Sequence, residues 1–349
     1  MMTRATPSTI AFACLLLLAG SAVGCSRHDV ETRRGPRVYV SNEAEGSISV
    51  IDATSRIRLK SIPVGKRPRG IRVSRDGSLV YVALSGSPIA GPGVDESKLP
   101  PPDRESDGIG IVDTMKGELI RVLKSGTDPE QFVLSRDEKR LFVANEDAGQ
   151  ISVVDVASGA VTKTIPVGDE PEGVELTPDG RFVYVTSEAE NQVFVIDVER
   201  LERVATIPVG ARPRSTAFLP DGSQAYVAAE NDGAVYVIDT STHKASARIV
   251  LGEQRYKPMG MAVALDGSSL YVSTGRGEDL VRISLPRNVV TGSVAAGARP
   301  WGVAISDDGK TLFTANGPSN DVSVIDVATL TVRTRIPVGE RPWGVAYSR

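Results

Sequence analysis

Seven times the chain places a proline one residue before a position whose chemistry changes from copy to copy. Those positions are Arg69, Glu130, Glu172, Arg214, Met259, Trp301 and Trp343, and in five of the seven a glycine follows. The side chains divide into two kinds. Two guanidiniums flank a pair of carboxylates, while the two tryptophans, the only ones in the chain, fall in consecutive copies beside a methionine. Arginine binds carboxylates through a rigid fork and stacks on rings, and tryptophan offers a flat apolar face. Gathered in one place, these groups would hold a small aromatic or quinoid acid, or a partner's side chains. The pair Glu130 and Glu172 would also suit acid–base work or a metal. A second tier precedes each proline: Arg67, Asp128, Glu170, Arg212, Lys257, Arg299 and Arg341, of which five are basic.

The elements that position these residues are legible from a repeat. An aromatic residue before Val or Thr recurs at Tyr39, Tyr81, Phe142, Tyr184, Tyr226, Tyr271 and Phe313. Most of the intervals are 42 residues; one is 45 and one is 61. A period near 40–45 with four strand-like segments per copy is the signature of a propeller blade. In the last full copy the strands A to D are expected near 303–306, 311–315, 322–326 and 331–336. Asp-Gly pairs at Asp76-Gly77, Asp179-Gly180, Asp221-Gly222, Asp266-Gly267 and Asp308-Gly309 mark the A–B turns. The chain enters the repeat at Arg37 on a B strand and ends on an A strand after Trp343, so the last strand is expected to complete the first blade. That removes two open sheet edges. The predicted fold is an all-β, seven-bladed β-propeller over 37–349, with the variable positions around the channel mouth.

Recurrent polar residues are read as architecture. An Asp ends strand C at Asp52, Asp113, Asp155, Asp197, Asp239 and Asp326, where it can accept hydrogen bonds from the next turn. Pro63, Pro166, Pro208 and Pro337 mark the ends of outer strands. The 61-residue interval carries an insertion, 84–108, rich in proline. A loop of this length is either functional or a tolerated excursion.

The first 24 residues read as a secretory signal: Arg4, a short apolar run, then small residues before Cys25. Ala22-Val23-Gly24-Cys25 resembles a bacterial lipobox, with Cys25 as the lipidated residue; Ser26 after it favours the outer membrane. Residues 25–36 are polar and read as a tether. The expected location is the periplasm, with the membrane touched only through the lipid. Cys14 lies within the signal, so no disulfide framework is expected. A net charge of −3 and a pI near 5.7 argue against nucleic acid as a partner. The two histidines, His28 and His243, fall outside the variable mouth positions.

The copies resemble the YVTN-type bacterial propeller repeat, with that signature at Tyr39–Asn42 and Phe142–Asn145. More narrowly, Arg67–Gly70, Asp128–Glu130, Glu170–Gly173, Arg212–Arg214, Asn316–Asp326 and Pro342–Val345 resemble the propeller family associated with PQQ-dependent catabolism. The resemblance covers 37–349, and the insertion departs from it. It implies an exported propeller in the setting of PQQ-dependent alcohol oxidation. Its partner would be a small molecule or a periplasmic protein (a quinoprotein, a cytochrome or a transporter component), and PQQ itself is one ligand to test. Propeller relatives that bind haem in nitrite reductases, or open lactone antibiotics, use histidines that this mouth lacks. The expectation is therefore a non-catalytic binding protein; the alternative is a metal-assisted hydrolase or lyase using the mouth carboxylates.

Overall fold

The computed structural model describes residues 1–3, 35–89, 95, 98–285 and 287–349. Nearly all of the expected signal peptide and of the tether, with the Cys25 lipid site and His28, lie outside these residues. Among the described residues no helix is long and apolar enough to cross a membrane.

Residues 37–349 form seven four-stranded antiparallel sheets. Six are consecutive in the chain, starting with blade 2 at Ile71–Val73 and ending with blade 7, whose strands are Pro300–Ile305, Thr311–Asn316, Asp321–Asp326 and Thr331–Pro337. Blade 1 joins the two ends of the chain. Its inner strand is the C-terminal Pro342–Ser348, paired with Arg37–Asn42.

Strand alternation explains how the blades associate. Successive side chains point to opposite faces of a sheet. In strand B of blade 1, Val38 and Val40 pack toward blade 7, whereas Tyr39 packs toward blade 2. The same division is made all round the ring. Seven buried clusters result, each shared by two neighbouring blades, and one of them (Val38, Val40 and Ile51 with Phe313, Val322 and Val324) joins the last blade to the first. Seven interfaces for seven blades make a closed ring. Each buried Val or Ile contributes roughly 1.5–3 kcal/mol, so no single interface holds the fold alone.

The six Asp residues at the ends of strand C accept backbone N–H bonds from the following turn, as at Asp52 from Thr54 and Ser55 and at Asp326 from Thr329. Strand A differs from the expected span. In blade 7 it begins at Pro300, and its ladder skips from Pro300 to Val303. The same skip occurs after Pro129, Pro171 and Pro213, and again beside Pro342. This irregularity releases Trp301 and its counterparts from the ladder and turns them to the channel.

Where a glycine follows the variable residue, as it does in five blades, it answers a close approach. A Cβ on Gly173 would lie 2.1 Å from the Arg214 carbonyl oxygen, and one on Gly260 would lie 2.2 Å from that of Trp301. Each such glycine thus abuts the next blade's variable residue. Hydroxyls complete the joint: Ser41, Thr186 and Ser273 each accept from the glycine N–H of their own blade and donate to the carbonyl of Arg69, Arg214 and Trp301 on the next.

Candidate binding mouth

The D–A and B–C connections meet at one end of the channel around a basin of about 560 Å³. Arg69, Glu130, Glu172, Arg214, Trp301 and Trp343 all line it. Met259 sits lower, in a throat of about 50 Å³ shared with Glu172, Arg214, Trp301 and Trp343. The structure therefore brings the seven variable residues together. It also buries them: only Trp301 keeps appreciable exposure. The tryptophans lie 5.5 Å apart, tilted by 33°, and form the floor over the throat.

On the charged side, the guanidiniums are held in carboxylate networks, with the buried Arg69 Nε left without a hydrogen-bond partner among the described residues. Arg69 contacts Asp128, Glu130 and, at 3.4 Å, Glu146. Arg214 contacts Glu172, Glu188 and, at 2.7 Å, Glu230. Arg212 adds a 2.6 Å bond to Glu188. Burial alone would make these arginines easier to deprotonate, but the surrounding carboxylates reverse that and raise both.

Carboxylates outnumber cations here, and the surplus is held as protons. Burial, and then the neighbouring Glu172, push the Glu188 carboxyl up to about 10. Burial also drives Glu130 well above its ordinary value against the pull of Arg69. Glu172 ends below its ordinary value, because Arg214 outweighs the burial that opposes it.

Asp128, Glu130 and Glu146 bring carboxylate oxygens within 4.8 Å of one another, which is a metal-like grouping. Arg69 touches all three. Its guanidinium supplies the positive charge that an ion would otherwise bring, so this triad carries no metal assignment.

Four of the acids in these networks were not singled out from the sequence: Glu43, Glu146, Glu188 and Glu230. They occupy one repeat position, four residues after the marker aromatic. In the other blades that position is Ser85, Gly275 and Gly317. Its backbone N–H usually reaches the carbonyl of the residue before the proline, as Glu230 does to Arg212 and Gly317 does to Arg299. The acid is thereby set beside the second tier.

Where that acid is glycine, the cations lack a dedicated partner. Arg299 of blade 7 and Arg276 of blade 6 make no ion pair among the described residues. Arg341 reaches Glu43 at 3.5 Å, an acid that Arg67 already holds at 3.1 Å. Arg299 stacks 4.9 Å from the Trp301 ring and Arg214 lies 5.6 Å from it. Burial and then Arg276, against the pull of Glu230 and helped by Arg214 and Arg341, make the Arg299 guanidinium easier to deprotonate than usual. This is the signature of crowded positive charge. The side expected to be apolar is thus a tryptophan floor beneath unneutralised guanidiniums.

Comparisons with known proteins reach the fold. Residues 103–229 match the family described as the cytochrome D1 heme domain. No curated protein sequence matches the chain. Among solved structures, hydrazine synthase of Kuenenia stuttgartiensis superposes with a TM-score of 0.71 at 23% identity, covering 83% of this chain and 92% of that one. A candidate 6-phosphogluconolactonase of Bacteroides fragilis gives 0.73 at 19% identity, covering 91% and 99%. A protein of Lactobacillus plantarum gives 0.74 at 16%, covering 90% and 99%. At these identities the likeness shows a shared propeller fold.

The mouth does not fit a haem. The one described histidine, His243, lies in a C–D turn at the opposite end of the blades, with its Nδ1 2.7 Å from the Tyr184 hydroxyl. Among the described residues of the mouth the only soft donor is the buried Met259 thioether.

Proposed function

We propose that this propeller is a binding protein whose channel mouth takes a small organic anion, without catalysing its conversion. The observation that carries the reading is the group Arg276, Arg299 and Arg341 above Trp301 and Trp343. These cations share one basin with the two neighbouring tryptophan rings, and the repeat's usual acid is absent beside Arg276 and Arg299. A carboxylate would accept bonds from the guanidiniums, and a flat ring would lie against the tryptophan floor. The arginines on the other side, Arg69 and Arg214, hold the frame and are already committed to protein carboxylates.

The signal segment and the repeat resemblance favour a periplasmic setting for this reading. There the anion would be a free aromatic or quinoid acid, PQQ among them, or an acidic group on a quinoprotein, cytochrome or transporter component.

Both tryptophans of the chain lie at this mouth, so intrinsic fluorescence reports on the site directly. Titration with benzoate, phthalate and PQQ at low ionic strength should give a saturable change for at least one of them, weakened by added salt. Arg299→Ala should weaken that binding at least about tenfold, or roughly 1.4 kcal/mol. If no member of the panel alters the fluorescence of the wild type, the reading fails.

A further inference from the structure

The insertion between Leu84 and Gly108 departs from the repeat, and its described parts line the mouth. Ser87, Pro88, Leu99, Pro100, Pro101, Pro102 and Arg104 share the basin with Arg299, Arg341 and both tryptophans. It rises from blade 2, the neighbour of the blade that carries Arg341.

These parts are tied down. Arg67 donates to the carbonyls of Ser87 and Pro88 at 3.1 and 3.2 Å. Lys66 pairs with Asp103 at 2.7 Å, and Arg104 reaches Asp147 of blade 3. The backbone closes on itself between Asp103 N–H and the Gly86 carbonyl, and the Gly86 N–H donates to the buried Asp107. Ties to the connection between blades 1 and 2 and to blade 3 do not suit a tolerated surface excursion.

The wall held in this way is apolar. Pro100, Pro101 and Pro102 are exposed and Leu99 is half-buried, all beside a basin whose other exposed groups are mostly charged. Proline keeps such a wall rigid, so little ordering entropy is lost when a ligand lies against it.

We infer that residues 99–104 of the insertion are the specificity-determining element of the mouth, and that they select an amphipathic carboxylate. The acid group meets Arg276, Arg299 and Arg341, and an apolar body lies between the tryptophan floor and the proline wall. The inference rests on the anion-binding reading above and goes further by naming the ligand's second half. A compact anion would satisfy the arginines but leave the wall unused.

The test is a fluorescence titration of the full chain with acetate, hexanoate, benzoate and 4-phenylbutyrate. It is repeated on Leu99→Ala/Pro101→Gly and on Lys66→Ala, which removes the tie to Asp103. The wild type should bind 4-phenylbutyrate at least about tenfold more tightly than acetate, since each buried methylene contributes about 0.8 kcal/mol. In both variants the gain should shrink to less than about threefold, with acetate affinity and the melting temperature unchanged. Equal binding of all four acids by the wild type would overturn the inference and leave the anion site standing. So would an undiminished preference in both variants. Failure of all four to bind would remove the anion site as well.

Discussion

At the scale of single residues, the two buried arginines are the keystones of the mouth. Arg214→Ala would leave Glu172, Glu188 and Glu230 facing one another with Arg212 alone, and removing one partner of a buried ion pair costs about 3–5 kcal/mol. A matching loss of stability in denaturant titrations is expected. Arg214→Lys should recover only part of it, because one ammonium cannot reproduce the fork that meets three carboxylates. The proton held on Glu188 has its own consequence. Its folded carboxyl titrates near 10, whereas in the unfolded chain it titrates in the ordinary carboxylate range. Between those values the folded state binds the extra proton, so this group's contribution to stability falls as pH rises. The melting temperature of the wild type should therefore decline between pH 6 and pH 9, and Glu188→Gln should flatten that decline. An unchanged slope in the variant would show that the proton sits elsewhere. The seven variable residues were legible because the repeats disagree there and agree around them. Glu43, Glu146, Glu188 and Glu230 obey the same logic at a fixed offset from the marker aromatic, so the signal was present. What no spacing shows is the backbone before the proline. Arg67, Asp128, Glu170, Arg212, Arg299 and Arg341 all have φ between 40° and 57°. A residue preceding proline ordinarily prefers extended geometry, so this left-handed kink is a tertiary constraint. It belongs to the loop that presents the second tier.

At the scale of elements, the C-terminal strand carries more than its length suggests. Pro342–Ser348 is the inner strand of blade 1, and its Gly344 N–H bonds Ser41, whose hydroxyl in turn holds the carbonyl of Arg69. Deleting 342–349 would open the ring at one blade, expose the edge of strand Arg37–Asn42 and remove Trp343 from the floor. A fall in melting temperature of more than about 10 °C, or loss of a single cooperative transition, is expected. A truncated chain that melts like the wild type would mean that the ring does not depend on this closure. The strand order was readable because Asp-Gly turns, alternation and the terminal half-blade all point the same way. The start of strand A was not, since the skip after the proline arises where two blades crowd at the axis. The insertion was legible as a departure in length. Its position against the mouth depends on contacts from Lys66, Arg67 and Asp147, which lie on other segments of the chain.

At the scale of the whole molecule, the architecture follows from one periodic pattern. Seven copies with alternating apolar strands produce seven shared cores, and the fold needs nothing further. Function lies in how that symmetry is broken. Acids at one repeat position pair with the arginines of blades 2 and 5, and glycines at the same position leave Arg276 and Arg299 of blades 6 and 7 without a dedicated acid. Gly317 makes this claim testable with a single side chain. Its φ is ordinary, and a Cβ there would meet nothing nearer than 3.8 Å, the closest atoms including the Arg299 carbonyl oxygen and the Trp301 ring. Gly317→Glu would restore the repeat's acid beside Arg299 without disturbing the fold. The decisive measurement is a tryptophan fluorescence titration of the wild type and of Gly317→Glu with 4-phenylbutyrate and benzoate, alongside their melting curves. Saturable binding by the wild type is expected, at least about tenfold weaker in the variant, with an equal or higher melting temperature. Undiminished binding by a folded Gly317→Glu protein would contradict it, because the arginines would then not be what the ligand meets.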